Sequence, residues 1–390
     1  MPNTINSQLV DRIYAMGLKS LRRQTTLLQY CTRYDALVSE PSFHGDTVTV
    51  PIPADYAESN VVNVVPSNTP PVPTDITPRF ASVQLSNWRK ADFHLTDREV
   101  SQLQEGTMSD QFAACMEALG AVIIRSVFAN FTGIYQFAGV AGTTPFASNT
   151  AVAQAARRLL NRAGVPMDKR ALILDFDADA NAIGLAIFQQ YLQKGDTETL
   201  REGVIKRALG FDWATDAYLP SFTGGTLSNG TTKSALINKA NVAIGDTTVP
   251  IDSATLTGTV VIGDLFTVAG DSQQYVVTAN ATASGNAIAS MAFSPSARVA
   301  WADNAVVTFV ANHAVAGLAI HPQAIAFASK PLDNVMPEGG GGTARQMFDP
   351  VSGLTLCLEI TRQYKQTVAE FSCLWGSTLA RPECAVRILG

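Results

Sequence analysis

Residues 46–93 read DTVTVPIPADYAESNVVNVVPSNTPPVPTDITPRFASVQLSNWRKADF. Val48, Val50 and Ile52 alternate with polar residues, and Ala81, Val83 and Leu85 do the same before Trp88, so each end of the stretch predicts a strand with one buried face. Between them stand Pro51, Pro53, Pro66, Pro70, Pro71, Pro73 and Pro78. Proline fixes φ and lacks the backbone N–H, which forbids helix and disfavours a central strand. The expectation is two strands joined by a long extended excursion. Such an arm cannot bury a core alone. A structureless connection of about 25 residues is unusual inside a compact domain, and the apolar residues in this one predict packing on a neighbouring molecule.

Outward from the arm the pattern turns helical. Upstream, Leu9, Ile13, Met16 and Leu21 form a stripe with Arg or Lys on the other face, so residues 1 to about 40 read as a helical arm with one sticky side. Downstream, Thr96-Asp97-Arg98-Glu99 has capping-box spacing and predicts a helix start. After Gly106, the row Phe112, Met116, Leu119, Ile123 and Val127 predicts a long amphipathic helix. Further helices are expected over roughly Asn149–Ala163, Ala178–Lys194 and Thr199–Leu209, with a short buried strand at Ala171–Leu174. Gly210-Phe211-Asp212-Trp213 closes this helical part.

The balance changes after Pro220: residues 223–311 hold eight charged residues (Lys233, Lys239, Asp246, Asp252, Asp264, Asp271, Arg298 and Asp303). Short apolar runs at Val242 and Ile244, Val249 and Ile251, Val260–Val268, Tyr275–Thr278 and Val306–Val310 are separated by Gly, Asp, Asn and Ser. That is the pattern of an inserted small barrel or sandwich. Beyond it, Ala314–Ile320 reads as a strand and Gln323–Ala328 as a helix, followed by a loop at Gly339–Gly342. Leu354–Arg362, Val368–Trp375 and Ala385–Leu389 alternate as antiparallel strands.

With 28 Lys and Arg against 33 Asp and Glu, the chain carries a formal charge of −5, against a protein whose main work is binding nucleic acid. Contact with DNA is expected to be weak and unspecific. The first residues lack the basic start and apolar run of a signal peptide, and no stretch reads as the roughly 18 apolar residues of a membrane span. Five cysteines (Cys31, Cys115, Cys357, Cys373 and Cys384) show no Cys-x-x-Cys spacing and read as reduced core residues. Asp175-Phe-Asp-Ala-Asp-Ala-Asn181 places carboxylates as a calcium loop does, but Ala180 stands where the turn needs Gly and Ala186 where a closing Glu belongs. The better reading is acidic residues capping a helix. Gly339-x-Gly341-x-x-Ala344 lacks the strand and helix of a dinucleotide site. His44, His94, His313 and His321 include no i, i+4 pair for a metal. No phosphate-cradling loop and no nucleophile elbow is present. No catalytic, cofactor-binding or metal-binding residue is assigned, and the expectation is a protein that is not an enzyme.

This order of segments resembles the tailed-phage major capsid proteins with the Hong Kong 97-like phage capsid fold, in the branch typified by a Salmonella podovirus coat protein with an extra inserted β-domain. The resemblance spans nearly the whole chain. It is carried by the N-terminal helix, by the proline-rich arm running into Leu85-Ser86-Asn87-Trp88-Arg89-Lys90-Ala91-Asp92-Phe93, and by the long helix after Leu103. Further carriers are Glu202-Gly203-Val204-Ile205 leading to Gly210-Phe211-Asp212, and Gly263-Asp264-Leu265-Phe266-Thr267-Val268-Ala269-Gly270. Most specific are Leu374-Trp375-Gly376 and Ala380-Arg381-Pro382-Glu383.

The resemblance implies an α+β fold with an N-terminal arm (1–45) and an extended β-hairpin loop (46–95). It also implies a peripheral domain with a spine helix (96–145 and 346–390), an axial domain (146–222 and 312–345) and an inserted all-β barrel-like domain (223–311). It implies a structural subunit that self-assembles into pentamers and hexamers of an icosahedral shell enclosing double-stranded DNA. Scaffolding and portal proteins are expected partners during assembly, a decoration protein is a further one, and no membrane is involved. The location implied is the virion, after synthesis in the host cytoplasm. Trp88, Arg89 and Asp92, an aromatic and two opposite charges at the arm's base, are the candidate subunit-contact residues, expected to help fix the arm's angle. The competing reading is another self-assembling structural protein, a tail or surface-layer component, which would share the charge-poor β-insert but hardly the long helix.

Overall fold

A computed structural model of the chain describes residues 26–33, 47–52, 79–98, 105–190, 201–330, 342–349 and 352–390. The helical arm predicted over residues 1–40 lies outside them except for a 3-10 turn, Thr26–Tyr30, and the short strand Thr32–Arg33. The proline-rich connection, Glu99 of the capping box and Gly339–Gly341 of the glycine loop also fall outside, while Gly342 opens a strand; Asp97 and Arg98 are helical.

The predicted apolar stripe builds the long helix Glu105–Phe128, where Met116, Leu119, Ile123 and Val127 are buried in the main core. By length and composition Ala113–Gly133 could cross a membrane, contrary to the expectation from sequence. In the fold it is a core helix, packed against the strands Asn87–Thr96 and Gln366–Leu379. The first sheet runs Thr32–Arg33, Ile325–Lys330, Gln366–Leu379, Leu354–Gln363, Gly342–Asp349, with Asn87–Thr96 also paired to Gln366–Leu379. The second runs Phe137–Gly139, Ala385–Leu389, His313–Ile320, Ala171–Leu174, Phe211–Thr215, Arg207–Ala208, with Ser221–Phe222 paired to the start of His313–Ile320. Helix Ala151–Arg162 buries Ala153, Ala156 and Leu160 in the same core. Strands cross the segment limits read from sequence: Ile325–Lys330, read as axial, joins the first sheet, while Phe137–Gly139 and Ala385–Leu389, read as peripheral, join the second.

Three helix expectations are corrected. Gln323–Ala328 is a 3-10 turn, Pro322–Ala324, followed by the strand Ile325–Lys330. Ile325 and Phe327 enter the main core while Ala326 and Ala328 face the arm hairpin, so both faces are apolar. A short, fully buried run shows no period that separates strand from helix. The helix expected over Ala178–Lys194 begins at Phe176, stops at Gly184 and resumes only as Ala186–Gln189, with residues 191–194 outside the described set. Near Leu209 the chain is a tight antiparallel pair, Arg207–Ala208 against Phe211–Thr215, turned by Leu209 and Gly210 at φ 54° and 88°.

The insert closes as a barrel in the order Ser234–Ile237, Thr248–Asp252, Ala287–Ser294, Gln274–Val277, Leu265–Val268, Val306–Phe309. It has a core of its own around Phe266, Tyr275, Phe293 and Trp301. Tyr275 Oη and Trp301 Nε1 both donate to Asp271 Oδ2, at 2.6 and 3.1 Å, so the two polar atoms of this aromatic core are satisfied by one carboxylate.

Candidate functional site

The strand Gln366–Leu379 holds the arm to the frame. Along one edge it pairs with Asn87–Thr96, from Trp375↔Asn87 to Gln366↔Thr96. Along the other it pairs with Leu354–Gln363 and then with Ile325–Lys330. Side chains alternate across a strand, and here the two faces serve different neighbours. Ala369, Phe371, Cys373 and Trp375 point into the main core. Trp375 is buried and its Nε1 donates to Ser126 Oγ at 2.8 Å, while Asn130 Nδ2 donates to Ser377 Oγ at 2.9 Å. These bonds lock the end of the long helix to the strand. On the other face, Leu374 packs with Val48, Val50, Val83 and Leu85 of the arm hairpin, Thr47–Ile52 against Arg79–Gln84. Gly376 permits that seating: a Cβ built there would collide with the Gln84 carbonyl.

The structure places Trp88, Arg89 and Asp92 on Asn87–Thr96, opposite Leu374, Cys373 and Glu370. Trp88 and Asp92 share the arm-side face; Arg89 lies on the opposite face, so the three are not one cluster. Trp88 is 66% exposed. Asp92 stands beside Lys90, whose Nζ lies 3.6 Å from its carboxylate and 2.9 Å from that of Glu370. The exposed Lys90–Asp92–Glu370 group is screened by water and contributes little stability. Glycine inside an alternating strand signals a close backbone approach, and Gly376 carries that signal in the sequence. Ser126 has no comparable signal, because a serine on a helix names no partner.

The barrel meets the frame along a second seam. Leu265 and Val276 pack against Tyr135 and Leu389. The Gln274 amide acts as a strand partner: its Oε1 accepts from Phe137 N at 2.8 Å, and its Nε2 donates to Phe137 O at 3.0 Å. Arg387, on the last strand, is fully buried and donates to the carbonyls of Gly263 at 3.0 Å and Thr132 at 2.9 Å, with Phe131 and Phe222 against its plane. Burial pulls its pKa down to about 9, with Asp264 opposing the shift, so it is charged at neutral pH. Asp264 is buried and accepts from the amides of Gly225 and Val261.

Among the described residues no group of His, Cys, Asp and Glu is arranged to hold a metal. Asp175 instead caps helix Phe176–Gly184, accepting from Ala178 N at 2.9 Å, as the second reading of the calcium-like motif predicts. Four of the cysteines are buried and Cys115 half-buried, all as thiols; burial pushes Cys31 and Cys373 up to about 12, which keeps them unreactive.

No protein-family profile matches the chain, and no curated protein matches its sequence. Solved structures do resemble it over most of its length. A structure described as the capsid of the cyanophage P-SCSP1u shares 12% identity and a TM-score of 0.47, covering 92% of this chain and 86% of its own. One described as Mycobacterium phage Che8 shares 12% identity at a TM-score of 0.44, covering 92% and 91%. One described as the capsid of a native GTA particle shares 9% identity at 0.46, covering 94% and 90%.

Proposed function

We propose that this chain is the major capsid subunit of a tailed bacteriophage, a structural protein whose mechanism is assembly. The observation that carries the reading is the arm. Its hairpin is seated on the frame by Gly376 and by a small apolar cluster. The hairpin leads into the proline-bearing connection 53–78, whose sequence cannot form a core of its own. An arm anchored at its base and carrying apolar residues such as Val61, Val62, Val64 and Val65 in its proline-bearing connection fits a neighbouring copy as its resting place. A long core helix and a separately closed barrel set into the frame agree with the sequence resemblance. Repeated heterologous contacts of this kind close into rings and shells, here pentamers and hexamers around packaged DNA. Scaffolding and portal proteins act during assembly, and a decoration protein is a further partner.

Electron microscopy of the purified chain, alone and with its scaffolding partner, tests the reading: shell-sized closed particles are expected, and a stable monomer under both conditions rejects it. Trp88, Arg89 and Asp92 are proposed as subunit contacts at the arm's base, motivated by the exposure of Trp88. Trp88→Ala is expected to yield aberrant or fewer shells while leaving the subunit's melting temperature unchanged. Normal shells from Trp88→Ala would remove these residues from the assembly surface.

A further inference from the structure

His313 sits where the chain leaves the barrel for the frame. The barrel strand Val306–Phe309 ends just before it, and His313 and Ala314 pair with Phe222 and Ser221, the last residues before the chain enters the insert. Both crossings between the two bodies are thus tied into one short ladder, with His313 at its barrel-side end. The His313 ring packs on Phe222 with centroids 5.4 Å apart. Nδ1 lies 2.9 Å from the Ala311 carbonyl, which assigns the proton to Nδ1 and leaves Nε2 as the atom that titrates. Nε2 is buried with no hydrogen-bond partner among the described residues.

The groups facing His313 come from three elements. Arg387, from the last strand, shares the Phe222 ring with it. Lys233 and Asp264 come from the barrel, with Lys233 Nζ 3.6 Å from the Asp264 carboxylate. Both are side chains with little exposure. With His313 neutral, two cations share one carboxylate. A proton on Nε2 makes three cations against that carboxylate, whose oxygens already accept from Gly225 and Val261.

We propose that His313 is a pH-sensitive latch between insert and frame: neutral, it lets the barrel dock on the frame through the Arg387 and Asp264 cluster, and protonated, it releases that docking. Burial foremost, then the charges of Arg387 and Lys233, hold the imidazole below its ordinary value of 6.5; the Ala311 carbonyl and Asp264 act against this and are outweighed. A base whose pKa is lowered in the docked state favours docking above its free value, and that contribution is lost as pH falls below 6.5 toward the docked value. The latch is a property of the single chain and does not depend on shell assembly.

Hydrogen exchange on the full chain, corrected for intrinsic rates, tests this. Between about pH 7.5 and about pH 5.5, below the free imidazole value, peptides covering 220–226 and 309–315 are expected to lose protection several-fold. Peptides from the barrel interior (274–277) and the second sheet (171–174) keep theirs. His313→Gln, which cannot titrate, is expected to abolish the loss. Unchanged protection of the junction in the parent chain, or an equal loss in His313→Gln, overturns the latch. Should His313→Gln fail to fold, the exchange of imidazole C2 hydrogens in the parent chain reads the titration directly. A midpoint for His313 below the free imidazole value of about 6.5 is expected, and a midpoint at or above it is fatal to the proposal.

Discussion

Gly376 and Trp375 are successive residues that serve opposite faces of one strand, and each is replaceable only at a cost set by its own neighbour. At Gly376 the obstacle is backbone, the Gln84 carbonyl, which cannot swing aside as a flexible side chain can. Gly376→Ala must shift the arm hairpin off the frame or strain the strand. Overpacking of this kind costs roughly 1–3 kcal/mol, and a thermal melt should show the midpoint falling by a few degrees; an unchanged midpoint would mean that the hairpin is not seated where it lies. Arg387 is held differently. Its charge is buried, its guanidinium fills two carbonyls, and Asp264 is its countercharge. Arg387→Met keeps most of the volume but strips both carbonyls of their donor, a loss on the order of 2–4 kcal/mol. Denaturant unfolding would reveal it as a lower midpoint at unchanged slope.

At the scale of elements, the calcium-like run beginning at Asp175 caps a helix, with the Asp175 carboxylate accepting from Ala178 N. Asp175→Ala should cost about 1 kcal/mol, the ordinary worth of an N-cap. Millimolar calcium should leave the melting temperature of the parent chain where it was; a calcium-dependent rise would restore the metal reading. What the sequence disclosed of these elements depended on whether their period survived burial. The stripe Met116, Leu119, Ile123, Val127 was legible because one face of the helix is buried and the other is not. Ile325–Lys330 was not legible, since alternate residues enter two different cores and no polar face remains. Ala287–Ser294 carries no clear strand period for another reason. A register shift opposite Val249 and Ile251 pairs them with Met291 and Ile288, so the buried positions are three apart and the period of two is interrupted. At the arm's base the alternation could be read, but the exposure of Trp88 and the places of Ser126 and Glu370 could not, because only tertiary pairing sets them.

For the whole molecule, two cores matter more than one chain. The barrel buries Phe266, Tyr275, Phe293 and Trp301 in a cluster separate from the main core, and it leaves the frame through Ser221–Phe222 and His313–Ala314, which are paired partners. Paired antiparallel residues lie about 5 Å apart, so a short glycine-rich linker replacing 223–311 can close the frame without distortion. The frame should then fold, with circular dichroism retaining its helical signal. What it loses is confined to the seam, chiefly the Gly263 carbonyl and the Asp264 charge that answer Arg387. Deleting the insert and replacing Arg387 by Met therefore remove overlapping interactions, and their stability effects should not add. In the deleted chain Arg387 lacks both the Gly263 carbonyl and the Asp264 charge, so Arg387→Met should cost far less there than in the full chain, or even stabilise. Equal costs in the two backgrounds would show that Arg387 serves the frame alone and that the barrel is fastened by Gln274 and the apolar seam.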